Sequence, residues 1–305
     1  MRALVSTPGE AHVAEIREVE HPVPAPNEVV IEVRAASLNR GELGLLPARP
    51  GWRPGQDIAG VVVQAASVSG SPQVGSRVAA VVDQAGWAER AAAPISRVGL
   101  LPDAVAFSEG ATLGVAGLTA LRALRVGGSL LGSRVAVTGA AGGVGTFAVQ
   151  LAHLAGAHVT AVVGSRDRGR PLLELGARRV LLEDEERTGP FDLVLEGVGG
   201  MSLERSLHSL APGGLVVLYG GASGQPARVS LADFRNAPGG RIHGFFIYRT
   251  GTDTFGQDLS YLGQLVGEKR LRPQIGMEVS WQQLDTAFAA LRDRQVKGKV
   301  VLIID

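Results

Sequence analysis

The sequence predicts an α/β protein in two parts, a small β-barrel and a doubly wound parallel sheet, and three observations carry that prediction. Residues 1 to about 110 alternate short β-branched runs with Pro and Gly clusters, the pattern of an all-β domain. Further along, strand-like apolar runs alternate with stretches of helical spacing, which implies a parallel sheet with crossover helices. Between Arg134 and Gly164 stand VAVTG, AAGGVG, TFAVQLAHLAGA and HVTAVVG, which read as strand, glycine-rich turn, helix and second strand. That is a βαβ unit.

Taken in order, the strands of the first part are MRALV, EVVIEVRAAS, DIAGVVVQAASV and SRVAAVV, separated by HPVPAPNE and ARPGWRPGQ. From Phe107 the pattern becomes helical, with FSEGATLGVAGLTALRAL carrying the chain into the second part. After the βαβ unit come a short helix near PLLELGA, strands ARRVLL and FDLVLEG, helix MSLERSLHSL, and strands GLVVLYGG and RIHGFFIY. A helix TDTFGQDLSYLGQLVGEK, a strand around PQIGMEV, a helix WQQLDTAFAALRDR and a strand KVVLIID close the chain, the last strands returning to the first part. The expected boundaries are therefore 1–115 with 268–305 for the barrel, and 116–267 for the doubly wound domain.

Bulk properties narrow the function. The chain of 305 residues, 45% hydrophobic and 19% charged, is long enough for two cores and ordinary for a globular protein. A net charge of +1, with no basic run interleaved with aromatics, suggests neither nucleic acid nor an anionic membrane as partner. Zero cysteines exclude disulfides, thiolate zinc sites and a cysteine nucleophile. No charge occurs from Val135 to Ser165, yet the glycine cluster, His153 and Gly156-Ala157-His158 break that stretch too often for a spanning helix. The opening MRALVSTPGE lacks an apolar leader core, so a cytoplasmic location is expected.

The turn after VAVTG is where chemistry is expected. A tight strand-to-helix turn lets backbone N–H groups at the helix start approach a pyrophosphate, and Ala140, Gly142, Gly143 and Gly145 have the small side chains it requires. The residue after the second strand selects the nucleotide, since an acid there accepts a ribose hydroxyl but repels a 2′-phosphate. Here the strand ends Gly164-Ser165-Arg166-Asp167-Arg168, and a hydroxyl with two guanidiniums suits the 2′-phosphate of NADPH. The alternative is a solvated loop. His12, His21, His153, His158, His208 and His243 show no metal-ligand spacing, no GxSxG elbow exists, and the pairs Glu89/Asp103 and Asp184/Glu185 read as solvated turn residues.

TGAAGGVGTFAVQLAHLAGAHV, FDLVLEGVGG, LAPGGLVVLYGG and AFAALRDRQVKGKVVL, in this order and spacing, resemble the medium-chain dehydrogenase/reductase superfamily. VVIEVRAASLNRGEL, PGQDIAGVV and GSRVAAVV look like its GroES-like catalytic domain, and the second part then corresponds to its Rossmann domain. Zinc alcohol dehydrogenases carry a Cys where this chain has Asn39, and a His-Glu pair where it has Gln56-Asp57. The chain is accordingly similar to the zinc-free quinone oxidoreductase branch, which includes zeta-crystallin-like proteins.

The resemblance implies an NADPH-dependent, zinc-free reductase that moves hydride to a quinone or an α,β-unsaturated carbonyl compound. It places Asn39 at the nicotinamide and implies cofactor contacts from Thr119, Ala140, Gly142, Gly143, Val144, Gly164, Ser165, Arg166, Arg168, Gly197, Val198, Gly220, Gly221, Phe245, Phe246, Ile247 and Lys299. Arg40 stands where a Tyr often follows the Asn, which removes a phenolic donor and offers a guanidinium for enolate charge. For Arg40 the alternative is a surface arginine, and for Lys299 a solvated strand end. Glu183 falls near the adenosine, where an acid disfavours a 2′-phosphate unless it points away. Two other readings are an enoyl-thioester reductase and a non-catalytic NADPH-binding redox sensor. A homodimer is expected through the apolar edge strand Arg241–Tyr248.

Overall fold

A computed structural model describes residues 1–7 and 12–305, so part of the opening MRALVSTPGE lies outside the described residues. The chain opens with β1 (Arg2–Ser6), β2 (Ala14–Glu18) and β3 (Glu28–Leu38), then α1 (Glu42–Ala48), β4 (Asp57–Gln64), β5 (Arg77–Val81), β6 (Arg90–Pro94) and β7 (Val98–Leu100). Helices α2 (Phe107–Ala111) and α3 (Leu118–Val126) lead to β8 (Arg134–Thr138), α4 (Gly143–Leu154), β9 (His158–Val163), α5 (Arg166–Glu174) and β10 (Arg179–Leu182). Next come β11 (Phe191–Glu196), α6 (Met201–His208), β12 (Leu210–Leu218) and β13 (Arg241–Gly244). The chain ends with α7 (Phe255–Gly267), β14 (Ile275–Ser280), α8 (Leu284–Arg292) and β15 (Lys299–Ile303).

The chain forms two compact units, Met1–Leu118 with Gly251–Asp305, and Thr119–Thr250. In the first, a seven-stranded sheet runs β14-β15-β3-β4-β5-β7, with β6 also on β3. β3 is the organising strand. It pairs along most of its length with β4, while its other edge is shared, Glu28–Glu32 taking β6 and Ala35–Leu38 taking β15. Register shifts after Val30 and Val33 mark the bulges that bend it. Trp87 and Trp281, both fully buried, fill the core with Leu4, Ile31, Ile58 and Leu302. The polar burden of this sheet therefore falls on the few charged groups inside it, chief among them Asp57 and Lys299.

The second unit is a six-stranded parallel sheet in the order β10-β9-β8-β11-β12-β13. Its central strands are apolar on both faces, as a sheet covered by helices on each side requires, with Val135–Val137, Val194 and Leu195 at most 1% exposed. The strand order reverses beside β8, so the carboxyl ends of β8 and β11 flank a crevice of the doubly wound kind.

Three expectations from sequence need adjusting. The return to the first unit comes at Gly251 rather than after residue 267, because α7 packs on β7: Ser260 Oγ accepts from Leu100 N at 3.0 Å, and a Cβ on Gly256 would lie 2.6 Å from the Val98 carbonyl. Two glycines, Gly99 and Gly256, permit that approach. The helical stretch from Phe107 is not continuous, since Leu113–Gly117 widens into a π-turn with Gly114 at ψ −115°. A side chain there would overlap the carboxylate of Asp57, and the bend lets Val115 N donate to Asp57 Oδ1 at 2.8 Å. The strand RIHGFFIY also stops at Gly244, with a 3-10 turn at Ile247–Arg249.

Candidate functional site

In the second unit the glycine turn is built as its sequence demands. Gly139 takes the left-handed φ of +57°, and a Cβ on Gly145 would lie 2.5 Å from the Gly139 carbonyl oxygen. The two positions that only glycine can fill are thus Gly139 and Gly145, while Ala140 is fully buried and tolerated. Gly142 caps the twelve-residue α4, whose first-turn N–H groups have no partners within the helix and face outward from its N-terminus. This cradle fits the pyrophosphate of a dinucleotide.

Neighbouring strand ends close around the turn. A Cβ on Gly220 would lie 2.9 Å from the Gly197 carbonyl, one on Gly199 3.4 Å from Gly221 Cα, and one on Gly139 3.4 Å from the Val198 side chain. The structure therefore brings together Ala140, Gly142, Gly143 and Val144 with Gly197, Val198, Gly220 and Gly221, at the carboxyl ends of β8, β11 and β12. Gly164 and Ser165 follow the adjoining β9, Ser165 at the N-cap position of α5, and Arg166 and Arg168 stand in the first turn of that helix. Phe245, Phe246 and Ile247 follow the edge strand β13, and of these only Phe246 is exposed. Thr119 is buried on α3.

The last residue of β11 is a carboxylate that sequence reasoning missed. Glu196 is fully buried; its Oε1 accepts from Val198 N at 2.8 Å and Gly199 N at 3.0 Å, and its Oε2 from Ser202 and Ser206 hydroxyls at 3.1 and 2.7 Å. Arg187, itself buried, stands 3.7 Å away and pairs with Glu183 at 2.6 Å. Burial pulls the Arg187 guanidinium below its ordinary value, while Glu183 and Glu196 pull it back. Glu183 is thus turned to Arg187. The acid that meets Arg166 is Glu185, which accepts from it at 2.5 Å and from Leu182 N at 2.8 Å, so it is not the simple solvated residue its turn suggested. Tyr219, whose hydroxyl donates to the Thr138 carbonyl at 3.4 Å, has its phenol pushed up by burial and by Glu196.

In the first unit, Asn39 sits half-buried at the end of β3 within a closed polar group. Lys299 Nζ donates to Asn39 Oδ1 at 2.7 Å and to the Leu38 carbonyl at 2.8 Å, and it stands 3.4 Å from Asp57 Oδ2. Asn39 Nδ2 donates to the same Asp57 oxygen at 2.9 Å, and Ser37 Oγ lies between that oxygen at 3.1 Å and the Ala111 carbonyl at 2.9 Å, with one hydrogen for the two. Glu42, also buried, accepts from Asn39 N at 2.8 Å, a turn whose only sequence signal is the N-x-x-E spacing. Burial pushes the Glu42 carboxyl up to about 8, with the charge of Asp57 adding to the rise. Burial likewise pulls Lys299 below its usual value, against Asp57 and Glu42.

Lys299 is therefore no solvated strand end: at 4% exposure it lies inside the sheet. Arg40 is exposed, its guanidinium 3.5 Å from the Leu291 carbonyl at the end of α8, and burial together with the nearby Arg294 lowers its affinity for its proton. Among the described residues no helix is long and apolar enough to cross a membrane, and no group of three or more His, Cys, Asp and Glu side chains gathers at metal-binding distance.

Residues 25–120 match the alcohol dehydrogenase GroES-like domain, and residues 143–263 match the zinc-binding dehydrogenase family. A quinone oxidoreductase from Sus scrofa is 29% identical over 318 residues, covering 94% of this chain and 92% of that protein. A chloroplastic quinone-oxidoreductase homolog from Spinacia oleracea is 36% identical over 225 residues, covering 66% of this chain and 68% of that one. The structure of the quinone oxidoreductase from Coxiella burnetii superposes with a TM-score of 0.86 at 26% identity, covering 100% of this chain and 99% of that one. The chain belongs to the medium-chain dehydrogenase/reductase superfamily, in its quinone oxidoreductase branch, and is an NAD(P)-dependent oxidoreductase.

Proposed function

We propose that the protein is a zinc-independent, NADPH-dependent reductase that delivers hydride to a quinone or an α,β-unsaturated carbonyl compound. The observation that carries this reading is Asn39, fixed between Lys299 and Asp57 where zinc-dependent members of the superfamily place a cysteine. Amide groups from Asn39 and Gln56 are poor ligands for zinc, and the Lys299 ammonium beside Asn39 repels a second cation. Bound at the glycine turn, the nicotinamide nucleotide supplies the hydride. Everything else falls to the chain's own groups.

The first-turn N–H groups of α4 hold the pyrophosphate, and Ser165, Arg166 and Arg168 favour the 2′-phosphate. Asn39 orients the nicotinamide ribose or the acceptor through its remaining amide hydrogen, and Arg40 serves as a second donor to enolate oxygen. Such a site aligns reactants well but polarises a carbonyl weakly, so conjugated acceptors react and simple alcohols do not. Arg40 beside Arg294 favours a second reading, an enoyl thioester on an anionic carrier. A cytoplasmic location is part of the same proposal.

Elemental analysis and an acceptor panel test the reading. The purified protein is expected to hold no stoichiometric zinc, to keep its activity in chelator, and to oxidise NADPH with a small quinone or enone. One zinc per chain lost together with activity would reverse the assignment. Tight NADPH binding without turnover of any acceptor would favour the redox-sensor reading instead.

A further inference from the structure

The polar group around Asn39 has a chemical asymmetry that determines what Asn39 presents. An ammonium only donates and a carboxylate only accepts. Lys299 Nζ at 2.7 Å therefore identifies one amide atom of Asn39 as oxygen, and Asp57 Oδ2 at 2.9 Å identifies the other as nitrogen. The amide cannot flip without setting N–H against ammonium and C=O against carboxylate. Lys299 has three N–H bonds and three protein oxygens around it, on Leu38, Asn39 and Asp57, so none is left for a ligand. Asp57 is engaged on both oxygens, Oδ2 receiving Asn39 and Lys299 and Oδ1 receiving Val115 N. Asp57 is fully buried and Lys299 nearly so, whereas Asn39 is half-exposed.

We infer that Lys299 is a positioning residue acting through Asn39: with Asp57 it locks the side-chain amide so that the second Nδ2 hydrogen is the donor directed outward. A cation on the amide oxygen also draws electron density from the nitrogen, which makes that hydrogen a stronger donor. This deepens the proposed role of Asn39 and rests on that reading for its catalytic consequence, but the locked amide is a property of the first unit alone. It replaces the expected direct contact of Lys299 with the cofactor. The saturated ammonium leaves Lys299 nothing to offer a nucleotide.

A double-mutant cycle with one activity-free readout tests it. Lys299→Met is expected to lower kcat for quinone reduction at least ten-fold while NADPH affinity changes less than three-fold. In an Asn39→Ala background the same change is expected to cost less than two-fold. Equal losses in both backgrounds would overturn the inference. Should Lys299→Met fail to fold because Asp57 is left uncompensated, the Asp57→Asn/Lys299→Met pair removes both charges and takes its place in the cycle. The Asn39 side-chain NH2 resonances, identified by their loss in Asn39→Ala, give the second readout in the whole protein. Slow hydrogen exchange in the wild type that rises at least ten-fold in the Lys299 variant supports a locked amide, even if no quinone is turned over. Unchanged exchange refutes it, whatever the activity.

Discussion

Replacing Glu42 by Gln should remove a defined part of the pH dependence of stability. Glu42 lies at 1% exposure beneath Asn39, and burial with the neighbouring charge of Asp57 raises its carboxyl from the ordinary 4.5 to about 8, against the pull of Lys299. A raised carboxyl contributes stability that is complete below the unfolded value and is lost as pH rises through the folded one. Between about pH 6 and about pH 8 the unfolded chain has shed this proton while the folded chain keeps it, which costs roughly 2 kcal/mol across the window. Above about 8 the folded chain sheds the Glu42 proton as well, so the loss levels off there. All three tryptophans, Trp52, Trp87 and Trp281, belong to the first unit, so fluorescence-detected urea unfolding reports that unit. The wild type should lose about 2 kcal/mol relative to Glu42→Gln over that range. Parallel profiles for the two proteins would refute the buried, protonated Glu42.

Two further outcomes are expected. NADPH should bind at least about ten-fold tighter than NADH, the roughly 1.5–3 kcal/mol of a charge-assisted contact; because Glu185 competes for Arg166, Arg166→Ala should narrow the ratio and Glu185→Gln widen it. Nucleotide fluorescence titration measures both, and a ratio indifferent to Arg166 would count against the phosphate site. We also expect a homodimer through β13, whose four residues are exposed and which is bonded to β12 on one side only at the end of the sheet. Light scattering of a monomer at micromolar concentration would contradict that pairing.

Much of this fold is written in local pattern. The β-branched runs, the Pro and Gly punctuation and the small-residue turn at 139–145 predict most strands and the doubly wound sheet, because those signals depend on nearest neighbours. What local pattern cannot show is long-range compensation. Lys299 looks like a strand-end lysine in VKGKVVL, yet its partners Leu38, Asn39 and Asp57 lie more than two hundred residues away, the separation from Asp57 being 242. Gly114 breaks an apparently continuous helix only because Asp57 occupies the space a side chain would need. α7 looks like one more crossover helix, and only the small residues Gly99 and Gly256, brought face to face, assign it to the first unit. The difference between Glu183 and Glu185 is likewise a matter of which arginine each meets. Asn39 itself was legible through its place in SLNRGEL, although the clamp around it was not.

The most direct test of the central claim is the single-turnover rate of NADPH oxidation by a small quinone, measured by stopped flow in the wild type and in Asn39→Ala. Loss of one preorganised donor predicts a fall of roughly ten- to a thousand-fold with little change in NADPH affinity. Full activity in the variant, or efficient oxidation of ethanol by the wild type, would contradict it.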